Sequence, residues 1–309
     1  MTEDIYEKYL SNRKVIIVFC LPAIVLFMVF IFIPILQVFY YSFFKWDGVN
    51  QATFIGLDNY TCLIGRDPTF KIANANGFKF GAVITVYQLV LATIFAIAVS
   101  DKRIRCRKFF RTAYFIPVVL SVTVVCQLWD NVFNADNGLL NTLMKTLGFE
   151  WSQNWLNDRN TAIYTVAFVN AWQWMGYQFA LIVAGIKSIG EDFYEAAEID
   201  GATSVKAHWY ITLPLLKDTF NFCLLISVTG GIKAFSEIDI MTGGGPSNAT
   251  NTLTYIMYNH AFGRQNFGYG LTSASVLVLE CLVIILVLNW LFKDRETPLF
   301  ARKKGADLV

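Results

Sequence analysis

Side chains able to hold a proton, a metal or a nucleophile are scarce in the apolar parts of this 309-residue chain. Glu280 stands out, inside the run "LTSASVLVLECLVIILVLNWLF". An ionisable group in such a place is a candidate for ion or proton coupling, but no second carboxylate or histidine accompanies it at that depth. The histidines are His208 and His260; the cysteines are Cys20, Cys62, Cys106, Cys126, Cys223 and Cys281. They show no CxxC pair and no ligand spacing for zinc, so the cysteines read as small buried hydrophobes. No G-x-x-x-x-G-K-S/T loop for a nucleotide is present, since "GIKS" (Gly185–Ser188) lacks the Gly-Lys pair. The chemistry on offer is hydrogen bonding and docking, not catalysis. "NAWQWMGYQF" alternates Trp172, Trp174 and Tyr177 with Asn170, Gln173 and Gln178. "SVTGGIKAF" carries Ser227 and the pair Gly230 and Gly231, and "GEDFYEAAEID" is an acidic stretch between two apolar runs.

Long helices must position these stretches. The chain is 55% hydrophobic and 16% charged, against about a quarter charged in an average soluble domain. A net charge of +2 is too small for a nucleic-acid binder. Six apolar stretches are expected to span a membrane: 15–44, 79–100, 112–134, 161–188, 215–236 and 270–292. Each covers the ~30 Å hydrocarbon core at about 1.5 Å per residue. The fold class is thus all-α, a polytopic membrane protein with six transmembrane helices. The first stretch is too long for a signal-peptide core and lacks a small-x-small cleavage site, so it reads as a retained span. Pro22 and Pro34 predict a bend in it.

Lysine and arginine set the orientation. "DKRIRCRKFFR" (Asp101–Arg111) carries six basic residues against one acid. With six spans it shares a side with Lys8, Arg13 and Lys14, and with Lys293, Arg295, Arg302, Lys303 and Lys304. The positive-inside rule places both termini in the cytoplasm. The layout is an N-terminal tail (1–14), a six-span domain (15–292) whose acidic loop covers about 190–214, and a C-terminal tail (293–309). Tyr40, Tyr41, Phe43, Phe44 and Trp46 close the first span, and Trp129 and Phe133 the third, as interfacial belts or as packing against neighbours.

The acidic loop falls on the cytoplasmic side. Glu191 and Asp192 stand where a helix start favours negative charge. Ala196 and Ala197 favour helix and let another surface come close. Gly201 breaks the helix, Thr203 or Ser204 caps a second one, and Pro214 suits the first turn of the fifth span. Two short helices at an angle result. From these residues alone, a solvated connector and a docking handle both stay open.

The segment resembles the EAA signature of permease subunits in binding-protein-dependent ABC importers. Glu195-Ala196-Ala197, Gly201 and Ile211-Thr212-Leu213-Pro214 meet its pattern. "FIGLDNY", "FFRTAYFIP", "NGLLN" and "TGGGPSNATNTLTYIMYNHAF" are similar to the carbohydrate branch, so the likeness covers nearly the whole chain. Gly190 departs from the Pro of many relatives. The resemblance implies the type I importer fold in a bacterial cytoplasmic membrane. It also implies that Glu195, Ala196, Ala197, Asp200 and Gly201 dock an ATPase. Expected partners are a second, homologous permease, two ABC ATPase subunits, an extracellular solute-binding protein, a sugar or oligosaccharide, and membrane lipid. No cofactor is expected in this chain, because ATP and Mg belong to the ATPases. The alternative is an ion-coupled secondary transporter using Glu280.

A sugar needs hydrogen-bonding groups beside ring faces. The maltose permease of this branch takes sugar on the parts of its spans that match Ser227, Gly230, Gly231 and Ala234 and, more loosely, Gly176, Tyr177 and Phe179. Tyr177, Gln178, Ser227, Gly230 and Gly231 are therefore the expected pathway residues, with ordinary helix packing the competing role for each. Tyr177, Gln178 and Ser227 are expected to face one chamber.

Overall fold

A computed structural model describes residues 13–101, 104–149 and 152–292. Most of both expected tails therefore lies outside the described residues. The first helix, α1 (Arg13–Phe27), passes through a π turn (Met28–Phe32) into α2 (Ile33–Tyr41). Strand β1 (Phe44–Lys45) then pairs antiparallel with β2 (Thr53–Phe54), a small exception to the all-α expectation. α3 (Asp58–Thr61) and a π turn (Cys62–Arg66) lead into α4 (Pro68–Ser100). Next come α5 (Arg107–Val119), α6 (Val122–Phe133), α7 (Leu139–Thr146) and α8 (Ala162–Ser188). The acidic loop holds α9 (Glu191–Ile199), α10 (Ser204–Ala207), a π turn (His208–Thr212) and α11 (Leu213–Leu215). α12 (Lys217–Ile232), α13 (Ser236–Met241), α14 (Leu253–Tyr258), a π turn (Asn259–Gly263) and α15 (Phe267–Phe292) follow.

Three helices are long and apolar enough to cross a membrane unbroken: Val15–Tyr41, Pro68–Ser100 and Phe267–Phe292. Two more candidates are bent pairs, α5 with α6 at 99° and Ser204–Leu215 with Lys217–Met241 at 68°. α8, at 27 residues, is long enough to span and less apolar, because Asn170, Gln173 and Gln178 interrupt it. Those amides turn inward: each donates to a partner in a neighbouring segment.

Two prolines shape their helices in the same way. The π turn Met28–Phe32 ends where Ile33 N–H bonds Met28 O, one residue before Pro34. The π turn His208–Thr212 ends where Leu213 N–H bonds His208 O, one residue before Pro214. A proline ring crowds the carbonyl four residues back and donates nothing, and a widened turn ahead of it relieves that crowding. Pro214 does not open the fifth span, as expected, but sits upstream of the 68° bend.

The chain divides into two units, 1–67 with 256–276 and 68–255 with 277–309. In the first, Tyr60 Oη lies 2.7 Å from Ser42 Oγ and 2.9 Å from Ser275 Oγ, and Asn59 donates to the carbonyls of Ser42 and Phe44. Tyr41 stacks on Trp46 with centroids 4.6 Å apart, so those aromatics pack on one another. In the second, α4 runs along α8 and α12, and α5 runs along α8. Gly77 and Gly81 form a G-x-x-x-G face on α4 that receives Val228 and Ile232 of α12, the small-residue packing that membrane helices favour.

Candidate functional site

The acidic loop is built to present a short helix. Asp192 and Glu191 occupy the first turn of α9 and complement its dipole. Its far end closes in a Schellman motif: Gly201 N–H bonds Glu198 O (3.0 Å) and Ala202 N–H bonds Ala197 O (2.9 Å). Gly201 takes φ +73°, where a side chain is strained although a Cβ would meet no atom. Thr203 then caps α10, its hydroxyl accepting from Lys206 N, as expected. Glu195, Ala196, Asp200 and Gly201 are exposed, and Ala197 is half-buried. Large apolar residues are exposed around them, including Phe193, Ile199, Val205, Trp209 and Tyr210.

Beside α9 lies an open cleft of about 770 Å³, lined by Arg107 and Arg111 of α5 and by Glu191, Glu195 and Glu198. His208 and Tyr194 also line it. Thr212, fully buried, bridges these two: its Oγ1 lies 2.8 Å from Tyr194 Oη and 3.0 Å from His208 Nδ1. Burial holds the His208 ring below its ordinary pKa, and the Asp101 charge pulls the other way.

The expected pathway residues separate. Gln178 and Ser227 are each 2% exposed and join α8 to α12. Gln178 Nε2 donates to Ser227 Oγ (3.1 Å) and Cys223 O (3.2 Å), and Ser227 Oγ donates to Cys223 O. Gly231 packs against the backbone of Gly81. Tyr177 is 41% exposed, Trp174 is exposed on the same face, and Gly230 borders open space. The structure thus does not bring Tyr177, Gln178 and Ser227 to one open face, because successive helix residues diverge by about 100°.

The partners of Asn170 and Glu280, and the role of Asn76, lacked a sequence signal. Asn170 Nδ2 donates to Glu237 Oε1 (2.6 Å), and that carboxylate is buried. Asn76 donates to the carbonyls of Ala249 and Asn251, holding the Gly-rich loop after α13. Asn74 Nδ2 donates to Glu280 Oε1 at 2.6 Å. Among the described residues, no group of three His, Cys, Asp or Glu is placed to hold a metal.

Comparison with known proteins gives a consistent result. Residues 8–294 match the family described as the binding-protein-dependent transport system inner membrane component. A probable ABC transporter permease of Bacillus subtilis, YurN, is 36% identical over 92% of this chain and 97% of its own length. The arabinooligosaccharide permease AraP of the same organism is 31% identical over 91% and 89%. The sn-glycerol-3-phosphate permease UgpA of Brucella abortus is 34% identical over 91% and 94%. A chain from a crystal structure of a bacterial ABC transporter that imports alginate superposes with a TM-score of 0.78, at 20% identity, over 96% of this chain and 99% of its own.

Proposed function

The chain belongs to the family of binding-protein-dependent transport system inner membrane components, and from that premise we propose that it carries a sugar or oligosaccharide as one permease of a heteromeric ABC importer. Permeases of arabinooligosaccharide and multiple-sugar systems are among its relatives at over 30% identity. The carrying observation is α9, a self-terminated helix that exposes Glu195, Ala196, Asp200 and Gly201 within a rim of apolar side chains. Such a surface suits a groove on a partner, and ABC ATPases are the partner proposed. They would supply ATP and Mg; a second permease would complete the pathway, and an extracellular binding protein would deliver cargo. The basic residues around α5 favour a cytoplasmic position for α9 and both termini. Tyr177, Trp174 and Gly230 would border the pathway, while Gln178, Ser227 and Gly231 hold α12 behind it.

The test is uptake by the complex purified through a tag on this chain and reconstituted in vesicles. Labelled sugar should enter only with internal ATP and external binding protein, and Tyr177→Ala should lower uptake while assembly stays normal. Uptake that needs neither ATP nor a binding protein would refute the proposal.

A further inference from the structure

Resting on that reading, we propose that the hydroxyl of Thr212 is the joint through which α9 moves the spans. Seven of the nine residues in α9 are exposed, and Tyr194 is one of two that are half-buried. Its hydroxyl reaches past the loop to Thr212, 18 residues on, at 2.8 Å. Thr212 is fully buried and Tyr194 half-buried at the cleft wall, so the contact is part-buried, and on the Thr212 side no water can replace it if it is lost.

From Thr212 the connection runs inward. Leu216 N–H bonds Thr212 O at 3.0 Å. The Leu216 side chain is 1% exposed and packs in a cluster with Ile182, Val183 and Ile186 of α8 and Cys223 of α12. Cys223 O in turn accepts from Gln178 and Ser227. A tilt of α9 is thus delivered to the foot of α12 by a fixed bond. The Schellman turn at Gly201 alone would act as a hinge there. His208 closes the joint from the other side at 3.0 Å. With a neutral ring protonated on Nε2, Thr212 donates to Nδ1 and Tyr194 donates to Thr212. Thr212, Tyr194 and His208 are positioning residues here; none is assigned to cargo.

The experiment uses the whole complex in vesicles and compares basal ATP hydrolysis with hydrolysis stimulated by sugar-loaded binding protein. Thr212→Val keeps the shape and removes the hydroxyl. It should leave assembly and basal hydrolysis unchanged and cut stimulation about fivefold, the equivalent of one neutral hydrogen bond. Thr212→Ser should restore it. Tyr194→Phe should reproduce the loss, and the double variant should be no worse than Thr212→Val, because both remove the same bond. Wild-type stimulation in Tyr194→Phe, or additive losses in the double variant, overturns the joint. If Thr212→Val does not assemble, Tyr194→Phe decides alone. Absence of stimulation in the wild type overturns the importer reading and the joint together, whereas a failure confined to the variants overturns the joint only.

Discussion

A Cβ on Gly231 would collide with the Cα of Gly81 and stand 2.7 Å from its nitrogen, so α12 and α4 touch backbone to backbone. Gly231→Ala should force these helices apart, at an overpacking cost of about 1–3 kcal/mol. Gly230 borders open space, so Gly230→Ala should pack without clash. Thermal unfolding in detergent should separate the two variants. Equal stability would contradict the contact.

Glu237 is buried and held by Asn170. Asn170→Leu should destabilise the complex by about 1–3 kcal/mol, because it strands a buried carboxylate. Glu237→Gln retains an acceptor for Asn170 and should cost less. The same melting assay checks the order, and the reverse order would show that the bond is not what stabilises the site.

Acid should weaken the loop. The His208 ring is held below its ordinary value of about 6.5 by burial, with Asp101 opposing. Between the folded pKa and 6.5 the unfolded chain takes up the proton and the folded chain does not. Stability therefore falls as pH drops below about 6.5 and levels off above it. His260 has the same sign, lowered by burial and Arg264 against Asp67. Melting curves between about pH 5 and 8 should lose part of this slope in His208→Gln and more when His260→Gln is added. An unchanged slope in the double variant would rule these rings out.

Glu280→Gln keeps an acceptor for Asn74. Uptake should stay within about twofold of wild type, since less than one hydrogen bond is altered, and should survive collapse of proton and sodium gradients. Abolished uptake in this variant, with loss of transport on gradient collapse, would favour ion coupling instead.

The acidic loop was legible because its signals are local. Charge at the first turn, a helix-breaking glycine and a capping threonine act within a few residues, and all three do so in α9 and α10. Three of the expected spans were legible for the same reason, whereas the 99° and 68° breaks in two others were not. What the sequence hid was the choice of partner. Nothing local to Gln178 says that it will bond Ser227, 49 residues away, and nothing near Asn76 points to Ala249. Pro214 misled because it lies in the short α11, and a 68° bend intervenes before α12. One signal was present and unread: Gly77 and Gly81, four apart in α4, mark the face on which α12 packs.

The bend between α5 and α6 has a bearing on how the protein is made. A break in a membrane helix leaves carbonyls that lipid cannot satisfy. Here Gln173 of α8 donates to Leu120 O at 3.0 Å, across 53 residues of chain. During synthesis α5 and α6 emerge well before Gln173 exists. Until α8 arrives beside them, the bent pair has an unmet backbone acceptor. It would be expected to linger at the edge of the insertion machinery and to enter lipid only together with α8, making the two segments one unit of insertion.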